Sequence, residues 1–221
     1  MSHTAAVAEV FGRIGPNAIT RVAEALSAME GAGAARRVFS RAGLQRYLLH
    51  IPTEMVDETH VTRLHKALVD DLGAARAREI GRLAGQHTAD YLLANRIPRL
   101  AQRVLRILPA PIASRLLAKA IARNAWTFAG TGTFSALHGR PTIFSIAGCP
   151  ICRGQKSAAP CCDFYAGTFE RLYIRLVHPQ ARVIETDCQA MGATACSFAI
   201  SWHNGPQREQ PPIDRSDQAA A

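Results

Sequence analysis

Cys149, Cys152, Cys161, Cys162, Cys188 and Cys196 are the only cysteines, and the 148 residues before Cys149 hold none. No other feature of this chain limits its fold as tightly. Clustered thiols end as disulfides, as metal ligands or as buried apolar side chains, and each outcome requires a different architecture. A secreted disulfide scaffold is short and carries an export signal. This chain has 221 residues, and positions 1–11 hold Glu9 and no long apolar run, so no secretory leader is expected. No apolar stretch reaches the ~18 residues of a membrane span. The expected location is cytoplasmic, and the thiols point first to a metal.

Charge is equally uneven. The formal net charge is +9, yet between Tyr91 and Cys162 there is no Asp or Glu and there are ten Lys and Arg. The rest of the chain is nearly balanced. A local field of that kind concentrates anionic partners: nucleic acid, a membrane surface or a carboxylate-bearing ligand.

Hydrophobic periodicity predicts helices first. Asn17 is read as the cap of a helix bearing Ile19, Val22, Leu26 and Met29, ended by Gly31 and Gly33. A second helix is expected from Val38 to Leu49, stopped by Pro52. Asp57 or Thr59 opens a third, with Val61, Leu64, Leu68 and Leu72 on one face. After Gly73 the pattern resumes through Ile80, Leu83, His87 and Tyr91 until Pro98 breaks it. Two basic amphipathic pieces follow, residues 99–108 and 112–126.

Near Gly130 the texture changes. Residues 131–137, 142–147, 182–186 and 195–202 read as strands, the last with strict alternation. Asp163 is read as the cap of a helix carrying Tyr165, Phe169, Leu172, Tyr173 and Leu176 on one stripe. The fold class is therefore α+β, a helical layer packed on an antiparallel sheet. It forms a single domain, with residues 1–130 mainly helical and 131–203 β-rich. Residues 204–221, rich in Pro, Gln, Asp and Ala, read as a disordered tail.

The informative constellation is Cys162, Glu185, Cys188 and Cys196. One turn can aim Glu185 and Cys188 at a common point, and the Gly192-containing connection suits a hairpin returning Cys196 to the same end. Cys162 precedes a helix start, which favours a thiolate. Three thiolates and one carboxylate suit a closed tetrahedral zinc site that is structural, with no position open for water. Cys149, Cys152 and Cys161 are left over; Cys149-Pro-Ile-Cys152 fits a second metal, a redox pair or packing alone. The carboxylate argues against an iron–sulfur cluster.

These residues resemble the 4-vinyl-reductase domain family. The resemblance lies in Cys161-Cys-Asp-Phe-Tyr-Ala-Gly-Thr-Phe-Glu-Arg-Leu and Glu185-Thr-Asp-Cys-Gln-Ala-Met-Gly-Ala-Thr-Ala-Cys-Ser-Phe. That family is a small-molecule-binding module with a fold shared by vesicle-tethering TRAPP subunits, and it forms the sensory part of some aromatic-responsive transcription activators. The family zinc pattern is Cys, 22 residues, Glu, two residues, Cys, seven residues, Cys, and Cys162, Glu185, Cys188 and Cys196 reproduce it. Phe11-Gly-Arg-Ile-Gly-Pro-Asn-Ala-Ile and Gly148-Cys-Pro-Ile-Cys extend the likeness to the stand-alone branch that serves bacteriochlorophyll synthesis. The resemblance implies a hydrophobic pocket between helices and sheet and a divinyl tetrapyrrole ligand. It also implies a role in 8-vinyl reduction. The alternatives are a carrier delivering an intermediate to pathway enzymes such as magnesium chelatase, and an assembly or tethering subunit. Partners would then be other pathway enzymes or a second copy in a homodimer.

Catalytic residues are not legible. Gly130-Thr-Gly132 lacks the third glycine of a dinucleotide loop and reads as a turn into a strand. The segment from Arg96 to Arg123 reads as surface helices, as a peripheral contact with an anionic (inner, photosynthetic) membrane, or as a source of arginines for porphyrin propionates. Nucleic acid is disfavoured by the scarcity of aromatics there. His50, His60, His65, His87, His138 and His178 are candidate axial ligands for a tetrapyrrole magnesium, none singled out.

Overall fold

Glycine and proline positions divide the helical half. In the computed structural model, which describes residues 12–202, α1 runs Asn17–Arg41 and kinks at Gly31, where φ is 82°. The break at Gly31 matches expectation. The cap does not: Pro16 occupies that position, and Asn17 is the first helical residue. The expected helix from Val38 to Leu49 is likewise cut. The second limb of α1 stops at Arg41, Gly43 turns at positive φ, and α2 spans only Arg46–Leu49. Glycine's tolerance of the left-handed region outweighs the apolar periodicity there.

Asp57 accepts a hydrogen bond from Thr59 N (2.8 Å) and caps α3, Glu58–Leu72. α4 is Ala74–Asn95, entered through Gly73. Pro98 and Pro109 precede α5 (Arg99–Ile107) and α6 (Ala110–Arg123), where a missing amide proton costs nothing. Trp126, expected at the end of the second basic piece, belongs instead to a separate turn, α7, Trp126–Ala129.

Two short strands, β1 (Arg13–Ile14) and β2 (Val56–Asp57), pair antiparallel beside α3. Two residues are too few to show alternation, which is why periodicity did not foresee them. The main sheet comprises β3 (Thr133–Leu137), β4 (Thr142–Ala147), β5 (Arg182–Asp187) and β6 (Cys196–Ser201), in the order β3-β4-β6-β5, all antiparallel. The tail expected beyond His203 lies outside the described residues.

α8 (Asp163–Leu176) covers one face of this sheet. Its first helical residue is Asp163, so the cap position falls on Cys162 rather than on Asp163. Phe144 and Phe198 sit opposite each other on β4 and β6, and Phe169 of α8 meets both, with ring centroids 5.1 and 5.5 Å away. Tyr165 stacks on Phe169 and donates from its hydroxyl to Phe128 O (2.6 Å). Edge-to-face aromatic contact adds to burial worth about 1.5–3 kcal/mol per large side chain.

α4 crosses the other side of α8 at backbone contact distance. A Cβ on Gly85 would lie 2.1 Å from Phe164 O, and one on Gly167 would lie 2.3 Å from Arg82 O. Only glycine fits at either point. Arg82 then ties the layers together, donating to Glu170 of α8 (2.8 Å), while Glu170 accepts from Val183 N of β5 (3.2 Å).

Candidate metal centre and ligand cleft

One end of the sheet gathers every thiol. β4 runs out into Gly148 and Cys149, α8 begins just after Cys162, and β6 begins at Cys196. On β5, Glu185 shares the buried face with Val183, and a bulge between Glu185 and Asp187 turns the chain so that Cys188 rejoins the cluster. Cys162, Glu185, Cys188 and Cys196 each present a donor atom, all within 4.8 Å of one another. Residues far apart in sequence thus meet as their spacing suggested.

The sulfur spacings are those of a coordination shell. Cys162 and Cys196 are 3.6 Å apart and Cys188 and Cys196 3.9 Å. Two thiolates on one zinc, each about 2.3 Å from it, stand about 3.8 Å apart. Glu185, 9% exposed, accepts from Cys162 N through Oε2 (2.7 Å), while its Oε1 is buried without a partner. An orphaned carboxylate oxygen facing thiols fits a cation. Burial, reinforced by the charge of Cys188, pushes the Glu185 carboxyl up to about 8 despite the Cys162 amide. The thiols cannot all ionise together without a cation. Hydrogen bonding led by Cys149 pulls Cys152 down, and contacts led by the same Cys149 push Cys162 and Cys196 up.

The other cysteines are not spectators at a distance. Cys149 lies 3.6 Å from Cys162, Cys152 lies 3.4 Å from Cys196, and Cys161 lies 3.7 Å from Cys188. Cys149, Cys152, Cys162 and Cys196 form a second quartet with all donors within 4.8 Å.

Sequence reasoning missed Glu58. Its carboxylate, buried at the start of α3, accepts from Thr131 N (2.8 Å), Thr131 Oγ1 (2.6 Å) and Arg153 Nη1 (2.5 Å). Burial raises its pKa, but the Arg153 and Thr131 hydrogen bonds outweigh that and hold it below the ordinary value. A Cβ on Gly130 would fall 1.8 Å from Glu58 Oε2, so the Gly130-Thr-Gly132 turn cradles the chain's own carboxylate. An acid flanked by its N-cap Asp57 carried no signal that it faces inward.

The space between α8 and the sheet, where the resemblance places a ligand pocket, is filled by Tyr165, Phe169, Phe144 and Phe198. The larger described cleft lies elsewhere, beside β1 and β2, with a volume of about 620 Å³. Arg13, Arg46, Tyr47, His50, Met55 and His60 are among its walls. His60 Nδ1 bonds the Tyr47 hydroxyl (2.9 Å), and the Arg46 guanidinium lies over the Tyr47 ring at 4.9 Å. Burial first, and the charge of Arg63 next, lower the His60 pKa, so its ring is neutral near pH 7. Of the six histidines considered, His50 and His60 reach this cleft and His138 lines a smaller one of about 220 Å³. His65 is buried against Phe164.

The model of the 4-vinyl-reductase domain family matches residues 142–201, the span from β4 through β6 that carries all six thiols. The class is thus an α+β protein built around a 4-vinyl-reductase domain. Over 188 residues the chain is 47% identical to the bacteriochlorophyll synthase 23 kDa chain of Cereibacter sphaeroides, covering 85% of this chain and 90% of that one. The protein of the same name from Rhodobacter capsulatus is 38% identical over 191 residues, with coverages of 85% and 86%. The chain belongs to the 4-vinyl-reductase domain family of these 23 kDa chains.

Solved structures extend the fold. An Fe(II) unliganded H-NOX protein from K. algicida superposes with a TM-score of 0.58 at 11% identity, covering 87% of this chain and 98% of that one. An H-NOX structure concerned with heme distortion gives 0.55 at 12% identity, covering 90% and 100%. The phenol-responsive sensory domain of the transcription activator PoxR, with phenol, gives 0.50 at 17% identity, covering 66% and 76%. At these identities the likeness concerns fold alone.

Proposed function

We propose that this protein binds a divinyl magnesium-tetrapyrrole intermediate of bacteriochlorophyll synthesis and holds it for 8-vinyl reduction by an external reductant. A structural zinc in Cys162, Glu185, Cys188 and Cys196 fastens α8 to the β5–β6 hairpin. The pathway is supported by the 23 kDa relatives, whose name gives their assignment. Tetrapyrrole binding is supported by one observation above others, the composition of the 620 Å³ cleft. Its volume falls within the roughly 300–1,000 Å³ usual for small-molecule sites. Two histidines, two arginines and an apolar wall of Ile51, Pro52, Met55 and Val56 converge there.

Each group has a task. The ring face lies on the apolar wall, and Arg13 and Arg46 meet the propionate carboxylates. His60 offers Nε2 to the magnesium; this requires Nδ1–H to donate to the Tyr47 oxygen, as second-sphere partners of ligating imidazoles commonly accept. The bound magnesium supplies an open axial position that a neutral imidazole can fill. The lining residues so account for binding and orientation, and the carrier reading shares this chemistry.

The test is a titration of magnesium protoporphyrin into the protein, followed by the Soret band. Saturable binding with a Soret shift is expected, weakened about tenfold or more in His60→Ala, which would remove about 1.4 kcal/mol. An unshifted Soret band refutes the proposal. Divinyl chlorophyllide with reduced ferredoxin or nicotinamide then separates reduction from carriage by whether the monovinyl product forms.

A lipid surface is the second partner we propose. Leu100 of α5 is 71% and Ile107 81% exposed, and Ile112 and Leu116 of α6 are also exposed. Around them Arg96, Arg99, Arg103, Arg115, Lys119 and Arg123 form no ion pair among the described residues. Exposed apolar tips ringed by unpaired cations suit an anionic membrane. No helix of the described residues is long and apolar enough to cross one.

A further inference from the structure

We propose that the thiol cluster is a binuclear centre, with two divalent metal ions bridged by the Cys162 and Cys196 thiolates. Cys188 and Glu185 complete the shell of one ion, and Cys149 and Cys152 that of the other. This rests on the metal reading above and adds a second ion to it.

Donor arithmetic carries the inference. The two quartets share Cys162 and Cys196, whose sulfurs are 3.6 Å apart. Two tetrahedra that share an edge need six donors, and the two quartets together supply that set. One ion in either quartet strands the rest. With an ion only in the Glu185 quartet, Cys149 and Cys152, each 1% exposed, stay pressed at 3.6 and 3.4 Å against ligated sulfurs. With an ion only in the Cys149 quartet, Glu185 Oε1 and Cys188 face the cluster without a counter-charge. Buried donors in that state are costly.

The second shell is built rather than incidental. Cys149-Pro-Ile-Cys152 has the two-residue spacing of a metal knuckle. Gly148 turns at a φ of +70°, and Gln155 N closes the loop on Cys152 O (3.0 Å). Gln189 then locks the knuckle to the β5–β6 hairpin: its Oε1 accepts from Cys149 N (2.7 Å), and its own N–H donates to Cys196 Sγ (3.4 Å). An amide donating to a sulfur favours that sulfur as a thiolate. His65, buried with Nε2 unpartnered, lies within reach of the Cys152 charge. The half-buried Cys161, 3.7 Å from Cys188, stands outside both quartets. Loading the second site releases the thiol protons of Cys149 and Cys152 to solvent; no electron moves.

The experiment uses the full chain purified under reducing, anaerobic conditions, with metal and protein measured on the same sample, and then reloaded with ¹¹³Cd²⁺. Two ions per chain and two ¹¹³Cd resonances coupled to each other through the bridging sulfurs are expected. The Cys149→Ser/Cys152→Ser double variant should hold one ion. One ion in the wild-type chain overturns the binuclear centre while leaving the single-zinc reading intact. No ion overturns both. Two uncoupled resonances, or iron accompanied by labile sulfide, overturn the bridged pair.

Discussion

Glu185→Gln should change the protein's stability in opposite directions with and without metal. In the metal-free chain burial raises the Glu185 carboxyl from its ordinary 4.5 to about 8, so the fold favours the protonated form. Stability from that preference is fully present below pH 4.5 and is lost as pH rises toward 8. Each pKa unit corresponds to 1.36 kcal/mol, so the loss reaches about 5 kcal/mol by pH 9 and about 3 kcal/mol at pH 7. Against a total stability of roughly 5–15 kcal/mol this is a large share. Glutamine keeps the acceptor for Cys162 N and carries no charge. The chelated variant should therefore match the wild type at pH 4.5 and exceed it increasingly above. With zinc the order reverses, because the variant loses an anionic ligand. Urea denaturation followed by circular dichroism, with chelator and reductant, at pH 4.5, 7 and 9 gives both curves. The other titrating thiols cancel in the difference between the two chains. Parallel pH profiles for the two chelated proteins would refute the burial of an uncompensated carboxylate and, with it, the case for a cation there.

Phe169→Ala should cost about 3–5 kcal/mol by urea denaturation, since its ring links Phe144, Tyr165 and Phe198 in a filled interior. Gly167→Ala drives a methyl into Arg82 O and should cost about 3 kcal/mol or more, lowering the thermal midpoint without changing metal content. Leu100→Glu with Ile107→Glu should reduce cosedimentation with anionic vesicles at least tenfold while leaving the Soret titration unchanged; undiminished cosedimentation would refute the lipid contact.

The thiol end of the molecule was legible because its information is local. Three sulfurs and a carboxylate at fixed spacing predicted their meeting, and the alternation from Cys196 to Ser201 predicted a strand with one buried face. The helix bearing Tyr165 and Phe169 was equally plain, since large side chains at helical spacing have one economical packing. Other features depend on distant partners. Nothing near Glu58 announces that Thr131 and Arg153 will enclose its carboxylate. Gly85 and Gly167 read as weak helix positions until the α4–α8 crossing explains them. The expected pocket between helices and sheet failed for a related reason. Periodicity says which side chains point inward, but whether they leave room depends on how closely the layers approach.

The order of chain synthesis gives the position of Cys196 a further meaning. α1–α4 leave the ribosome long before β6 does, and Gly85 waits for Gly167, which is made much later. The helical half must pass that interval without the partner that covers its glycine-lined groove. Closure of the thiol cluster is therefore a late event in the life of each new molecule, and a cell short of metal would accumulate chains arrested at that step.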